Sequence, residues 1–292
     1  MNKSTELVSV LMAAYNAENT IEAAIASVLC QSYTNWELII VDDYSKDNTT
    51  LIVDRFVAVD RRIRLIRNKK NKGVSLTRKK ALQEARGEWI AVLDSDDLWE
   101  HNKLERQLAV AYGKKASLIF TGSGFMDSRG KRINWQLHVP EMLNYEELLK
   151  QNLISNSSVL VKRSLYSKYY VVGDTMHEDF ALWLSITKEC FVAYGIDESL
   201  LVYRLTESSK SGNKWKAAKM NWNTYRYMGL SFFSACYYIC SYVKRSLIKY
   251  AFIKFAKIWG WKCNYHRLII IIQCNNLRYE QMNDLFGRRV AF

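Results

Sequence analysis

Acidic side chains gather at three places in the sequence where they could do chemistry: Asp42-Asp43, Asp94-Ser95-Asp96-Asp97 and Glu178-Asp179. The tetrad offers several hard oxygen ligands within four residues, suited to Mn²⁺ or Mg²⁺ and, through such an ion, to a diphosphate. The same residue types ahead of a helix are ordinary N-caps, and for the tetrad alone the two readings are level. Context favours the cation, because three acids following the apolar run from Trp89 to Leu93 crowd like charges together. Glu178 and Asp179 open a helical pattern that runs to Thr187. On their own they read as first-turn acids complementing the helix dipole.

The elements that must position these groups follow from hydrophobic period. Short apolar runs at residues 7–13, 36–41, 63–66 and 89–93 alternate with helical patterns at 20–30, 47–59 and 76–85, the second capped by Asp47 or Asn48. This is the βα alternation of an α/β, Rossmann-like, mainly parallel sheet flanked by helices. Ligands of such sheets lie beyond the carboxyl ends of the strands. Tyr15 and Asn16, Asp42 and Asp43, and the tetrad therefore share one edge. Further on, a helix is expected at 103–112, a strand at 118–121, a hairpin around Asp127 to Gly130, a helix at 145–151 and a strand near 158–161.

Composition bounds the function. The 292 residues are 49% hydrophobic with one proline, enough for a large core and without a flexible linker. The net charge of +13 is unevenly placed: residues 211–292 carry 14 Lys or Arg and two acids, which leaves the first 210 nearly neutral. With no basic stripe in that first part and no familiar motif, a nucleic-acid partner is not expected. The basic residues of the tail are interleaved with aromatics. The uncharged stretch from Gly229 to Val243 falls short of the roughly 20 residues that cross a bilayer, so the tail reads as a helix lying on an anionic membrane surface. The six cysteines lack metal-ligand spacing and read as reduced, buried thiols. No basic start and apolar stretch suggest a secretory signal, so the expected location is the cytoplasmic face of the membrane, peripherally attached.

Five ordered segments carry a resemblance: VSVLMAAYNAENTIEAAIASVLCQSY, WELIIVDDYSKDNT, NKGVSLTRKKAL, GEWIAVLDSDDLW and HEDFALWL. They resemble the family 2 glycosyltransferases of the GT-A fold, above all the bacterial subgroup that builds cell-surface polysaccharides of teichuronic acid and O-antigen type. The match spans roughly residues 7 to 210, so the resemblance implies a catalytic domain over 1–210 and a membrane-associating tail over 211–292.

By residue, the resemblance implies that Ala13 and Tyr15 line a uracil pocket and that Asp43 hydrogen-bonds the base, with Asp42 supporting the turn. Arg78 would hold the nucleotide, its fork suiting phosphate geometry. Asp96 would meet the ribose or the metal and Asp97 the metal, with Asp94 in support. Asp179 would be the general base. His177, Glu178 and Trp183 would flank it on the acceptor side, although His177 and Trp183 read equally as structural. Arg204, with Ser208, Ser209 and Ser211, would close over the donor diphosphate. Ala13 stands where the family often has Pro, and Thr77 and Lys79 flank Arg78 in place of Ala and Asn; Lys79 could face the donor phosphate or be solvated.

The implied activity is an inverting, metal-dependent transfer of a hexose from a UDP-sugar to a lipid-linked diphospholipid saccharide, giving a β-linkage, with glucose, galactose and their N-acetylated forms all open and glucose or galactose preferred. A sugar nucleotidyltransferase is the alternative. It is disfavoured because MAAYNAEN after the first strand lacks the Gly-rich, basic loop that a triphosphate needs.

Overall fold

The computed structural model describes residues 6–173, 175–189, 192–205 and 214–259. Continuous apolar runs make the first two strands, β1 (Val8–Ala14) and β2 (Trp36–Asp42), which pair in parallel and have helices on both sides. Alternate residues of β1 serve opposite faces: Val8, Val10, Met12 and Ala14 join one core cluster and Leu11 the other. Helix α1 (Ile21–Leu29) buries Ile21, Ala24, Ile25 and Val28, the i, i+3, i+4, i+7 stripe of an amphipathic helix. Helix α2 (Thr49–Val59) begins two residues later than expected. Asp47 starts it, accepting from the Thr49 backbone N–H at 3.0 Å, whereas the Asn48 side chain turns to Glu18.

Strand β3 (Ile63–Arg67), helix α3 (Val74–Gln83) and strand β4 (Trp89–Val92) complete a parallel half in the order β3-β2-β1-β4. Beyond β4 the sheet turns mixed. Strand β5 (Leu98–Trp99), helix α4 (Lys103–Gly113), strands β6 (Leu118–Met126), β7 (Arg132–Leu137) and β8 (Met142–Leu143), helix α5 (Tyr145–Lys150) and strand β9 (Leu160–Lys162) follow. Next come α6 (Arg163–Tyr169), α7 (Glu178–Lys188), β10 (Ala193–Arg204), α8 (Lys214–Tyr227) and α9 (Phe232–Trp259). The order continues β4-β9-β6-β10-β5, with β9 antiparallel to both neighbours and β10 parallel to β6. The hairpin expected at Asp127 to Gly130 joins β6 to β7, and Gly130 takes the positive φ of 83° that the turn requires.

The second core cluster does not end with the sheet. Tyr225 and Met228 of α8 and Ala235 of α9, all from the expected tail, pack into it beside Phe180 and Trp183 of α7. Among the described residues no helix is long and apolar enough to cross a membrane. The cysteines depart from expectation: Cys30, at the C-cap just past α1, and Cys240, on an outward position of α9, are exposed rather than buried, while Cys190, Cys263 and Cys274 lie outside the described residues.

Candidate active site

The carboxyl ends of β1, β2 and β4 meet at one edge, as the period predicts. Ala13 is half-buried at the end of β1, and Tyr15 follows it half exposed, its ring free to lie against a planar ligand. Asp42 supports the turn, its Oδ2 accepting from the Tyr44 and Ser45 N–H groups at 3.1 Å each. Asp43 is buried and already engaged: it accepts from Asn68 Nδ2 at 2.8 Å and from the N–H groups of Lys72 and Gly73 at 2.9 Å each. Those three bonds clamp the loop that leads into α3, and a carboxylate keeps about one more acceptor position. Gly73 can present its N–H there because its φ of 83° suits a residue without Cβ.

The tetrad is not a helix cap. Strand β5 follows directly, and α4 begins at Lys103 with Asn102 at its N-cap. Asp94 is fixed by its N–H on Ser157 Oγ at 3.1 Å, while its Oδ1 receives the Arg78 guanidinium and, at 3.4 Å, Asn156 Nδ2. Asp97 is 1% exposed. Its Oδ1 accepts from the Arg204 N–H at 3.0 Å, and its buried Oδ2 has no hydrogen-bond partner. Burial, then the neighbouring charges of Asp96 and Asp94, push the Asp97 carboxyl well above its ordinary range. Burial and Asp94 push Asp96 up to about 6. A buried carboxylate oxygen with no partner, crowded by like charge, fits a divalent cation. Among the described residues no group of three such side chains closes around one point, so a bound diphosphate would have to complete the ligand set.

Helix α7 brings in the second acidic site. Glu178 is buried, and its Oε1 accepts from Arg78 Nη1 at 2.9 Å. Asp179 is half-buried on the wall of a small hollow shared with Arg78, Asn156, Tyr166, Tyr170, Val171, Glu178 and Leu182. Arg78 thus stands between the two acidic sites, one Nη on Asp94 and the other on Glu178. Each Nη of Arg78 gives one hydrogen to a carboxylate while Nε has no hydrogen-bond partner, so the bridge adds to the expected grip on donor phosphate without replacing it. Burial disfavours its charge, but Asp94 and Glu178 outweigh burial and raise its pKa.

Trp183 corrects the acceptor-side expectation. It is wholly buried, 6.1 Å from the Tyr166 ring, and belongs to the core because Asp179 lies at the helix end while Trp183 is a turn further in. His177 is tied by its backbone, its N–H donating to Thr224 Oγ1 of α8 at 3.2 Å. Lys79 is exposed, in keeping with the solvated reading. Arg204 binds the tetrad through its backbone, as above, and its Nε donates to Asp96 O at 2.9 Å, so it braces the acidic turn. Ser208, Ser209 and Ser211 lie outside the described residues.

Sequence reasoning missed Asn156 and Ser157. They precede β9, and because β9 runs antiparallel to β4, its start and not its end faces this edge. The polar run Asn156-Ser157-Ser158 before an apolar strand was the available signal. Tyr166 and Tyr170, which also line the hollow, sit in a segment whose helical period was not recognised.

A mixed sheet that gathers a nucleotide-type loop, an acidic turn and a helix-borne carboxylate at one edge defines a GT-A-type glycosyl-transferring enzyme. The chain belongs to glycosyl transferase family 2, whose model matches residues 9–170. It is 39% identical over 83% of its length to a Bacillus subtilis glycosyltransferase provisionally named for teichuronic acid biosynthesis, 97% of which is covered. It is 37% identical over 84% of its length, and 96% of the relative, to an Escherichia coli UDP-Glc:alpha-D-GlcNAc-diphosphoundecaprenol beta-1,3-glucosyltransferase. In fold it is similar to S. aureus TarS in complex with UDP-GlcNAc, with a TM-score of 0.65, 16% identity and coverage of 82% of this chain and 72% of that one. A mannosyltransferase from Pyrobaculum calidifontis, in complex with GDP-Man and Mn²⁺, is similar over 95% of this chain and 78% of its own, with a TM-score of 0.59 and 15% identity.

Proposed function

We propose that the enzyme transfers a hexose with inversion from a UDP-sugar to a lipid-linked diphospholipid saccharide, giving a β-linkage. The observation that carries this is Arg78, which joins the acidic turn at Asp94 to the helix start at Glu178 and so sets a leaving-group site and a base in one frame. Glucose is the favoured sugar, since two E. coli relatives are named as UDP-Glc beta-1,3-glucosyltransferases.

In this reading Ala13, Tyr15 and Asp43 hold the uracil. Asp179 accepts the proton of the acceptor hydroxyl as that oxygen bonds to the anomeric carbon, and the bond from that carbon to the diphosphate breaks on the opposite face. Glu178, pinned by Arg78, fixes the first turn of α7 and with it the direction of Asp179. A Mn²⁺ or Mg²⁺ ion held by Asp97 and Asp96, when bound, would offset the charge that grows on the departing UDP. Arg204 keeps the acidic turn in shape for that purpose. His177 shapes the acceptor side through its backbone.

The work belongs to a peripheral enzyme at the cytoplasmic face of an anionic membrane, attached through residues 211–292, whose helix α8 and the start of α9 also complete the core of the catalytic unit. A panel of UDP-, GDP- and dTDP-sugars, assayed for nucleotide release with Mn²⁺ and a synthetic diphospholipid saccharide, tests the reading. Release from UDP-glucose that depends on the acceptor is the expected result. Pyrophosphate release from UTP and a sugar phosphate would overturn it.

A further inference from the structure

From Lys214 to Trp259 the sequence has nine Lys or Arg and no acid. The structure turns this stretch into two helices, α8 and α9, joined at Gly229. Trp215, Lys219, Trp222 and Arg226 are spaced four, three and four residues apart, which puts them on one stripe of α8. Phe233, Tyr237, Cys240 and Lys244 repeat that spacing on α9. Trp215 is 88% exposed, Phe233 84% and Tyr237 61%. Large aromatics that exposed are unusual on a folded surface. Rings run across the junction, Trp222 to Phe232 at 5.5 Å and Phe232 to Phe233 at 5.8 Å, so the two stripes adjoin.

The same helix pair touches the acceptor side. Besides the His177 bond to Thr224, Asn223 Nδ2 of α8 donates to Thr175 O at 2.7 Å, so α8 is fastened to the residues just ahead of Asp179.

We propose that the face formed by Trp215, Phe233 and Tyr237 with Lys219, Arg226 and Lys244, with Trp222 packed behind it against the core, docks on an anionic lipid bilayer and holds the Asp179 hollow beside that surface. This rests on the reading of a lipid-linked acceptor and specifies which part of the protein meets the membrane. Aromatic rings suit the interface between headgroups and acyl chains, and two helices that carry bases but no acid of their own suit the negative surface, with Glu146 of α5 near Tyr238 the neighbouring acid. A protein partner of ordinary mixed charge would not call for so one-sided a face.

The test is co-sedimentation of the full chain with vesicles of phosphatidylcholine alone and of phosphatidylcholine with phosphatidylglycerol. Binding is expected only to the mixed vesicles. The variant Trp215→Ser/Phe233→Ser/Tyr237→Ser should bind them about tenfold more weakly. The variant Lys219→Gln/Arg226→Gln/Lys244→Gln should lose about tenfold or more on the same vesicles, and high salt should weaken wild-type binding toward the level of this variant. Circular dichroism and transfer to a short, water-soluble diphosphate-linked saccharide should match the wild type for both variants. Unchanged vesicle binding by both variants would overturn the proposal, as would an aromatic-dependent dimer in size-exclusion with no change on vesicles. Failure of the wild type to transfer to the soluble acceptor while still binding vesicles would count against the glycosyl-transfer reading alone.

Discussion

Asp97 and Glu178 are both buried carboxylates at the ends of structural elements, yet their surroundings differ in kind. Glu178 meets the Arg78 guanidinium at 2.9 Å, whereas Asp97 meets only neutral groups, the Arg204 N–H and the Ser157 side chain, and lies among other acids. The acceptor side neutralises its charge internally and leaves Asp179 facing the hollow. The donor side keeps an excess of negative charge that folding alone does not satisfy. On the reading proposed above, the same side-chain chemistry would serve a positioned base in one place and cation binding in the other, with the partner deciding which.

Asp179→Asn puts the largest strain on that division. Transfer should fall about a thousandfold, the range for losing a positioned base, with UDP-sugar affinity unchanged in a calorimetric titration. Turnover retained in this variant would dissolve the assignment of the acceptor side. Asp97→Asn should cost at least about 100-fold in turnover, since several kcal/mol of charge stabilisation are at stake. The metal-free variant should also melt higher than the wild type, because a buried, unpaired charge is gone. Loss of activity together with a lower melting temperature would make Asp97 a structural residue and erase the contrast.

Arg78→Met tests the link between the sites. It leaves Glu178 buried without its cation and removes the principal partner of Asp94, a change expected to cost roughly 3–5 kcal/mol by urea denaturation. Adding Glu178→Gln should restore part of that, with a coupling of about 0.5–3 kcal/mol in the double-mutant cycle. Additive effects would mean that the bridge contributes nothing.

Legibility of the sequence follows the same line as the topology. The parallel half was readable because each of its strands is a continuous apolar run, and a parallel sheet delivers every strand's carboxyl end to one edge. That logic placed Tyr15, Asp43 and the tetrad correctly in space. It could not find Asn156 and Ser157, which reach the edge from the start of an antiparallel strand, nor β10, whose Asp197 and Glu198 interrupt its pattern where the register shifts. Trp183 shows a different limit. Spacing placed it near Asp179 on α7, but only the packing of α6 against that helix shows that it points into the core. The commitment of Arg78 to two carboxylates was hidden for a similar reason, since Glu178 lies 100 residues away.

The smallest expected effect is a pH dependence confined to the donor side. Burial and the Asp94 charge hold the Asp96 carboxyl at about 6, above the ordinary 3.8, so between those values the folded protein keeps a proton that the unfolded chain has released. Stability of the metal-free protein should accordingly rise as pH falls through that window and be lower above it. Asp97, held well above its ordinary range by burial and the charges of Asp96 and Asp94, contributes in the same direction. Thermal melts across this range should show the slope in the wild type and in Glu178→Gln. They should show it flattened in Asp96→Asn/Asp97→Asn, and flattened again when Mn²⁺ favours the ionised carboxylates of the wild type. A slope that follows Glu178 and ignores the tetrad would place the unsatisfied charge on the wrong side of Arg78.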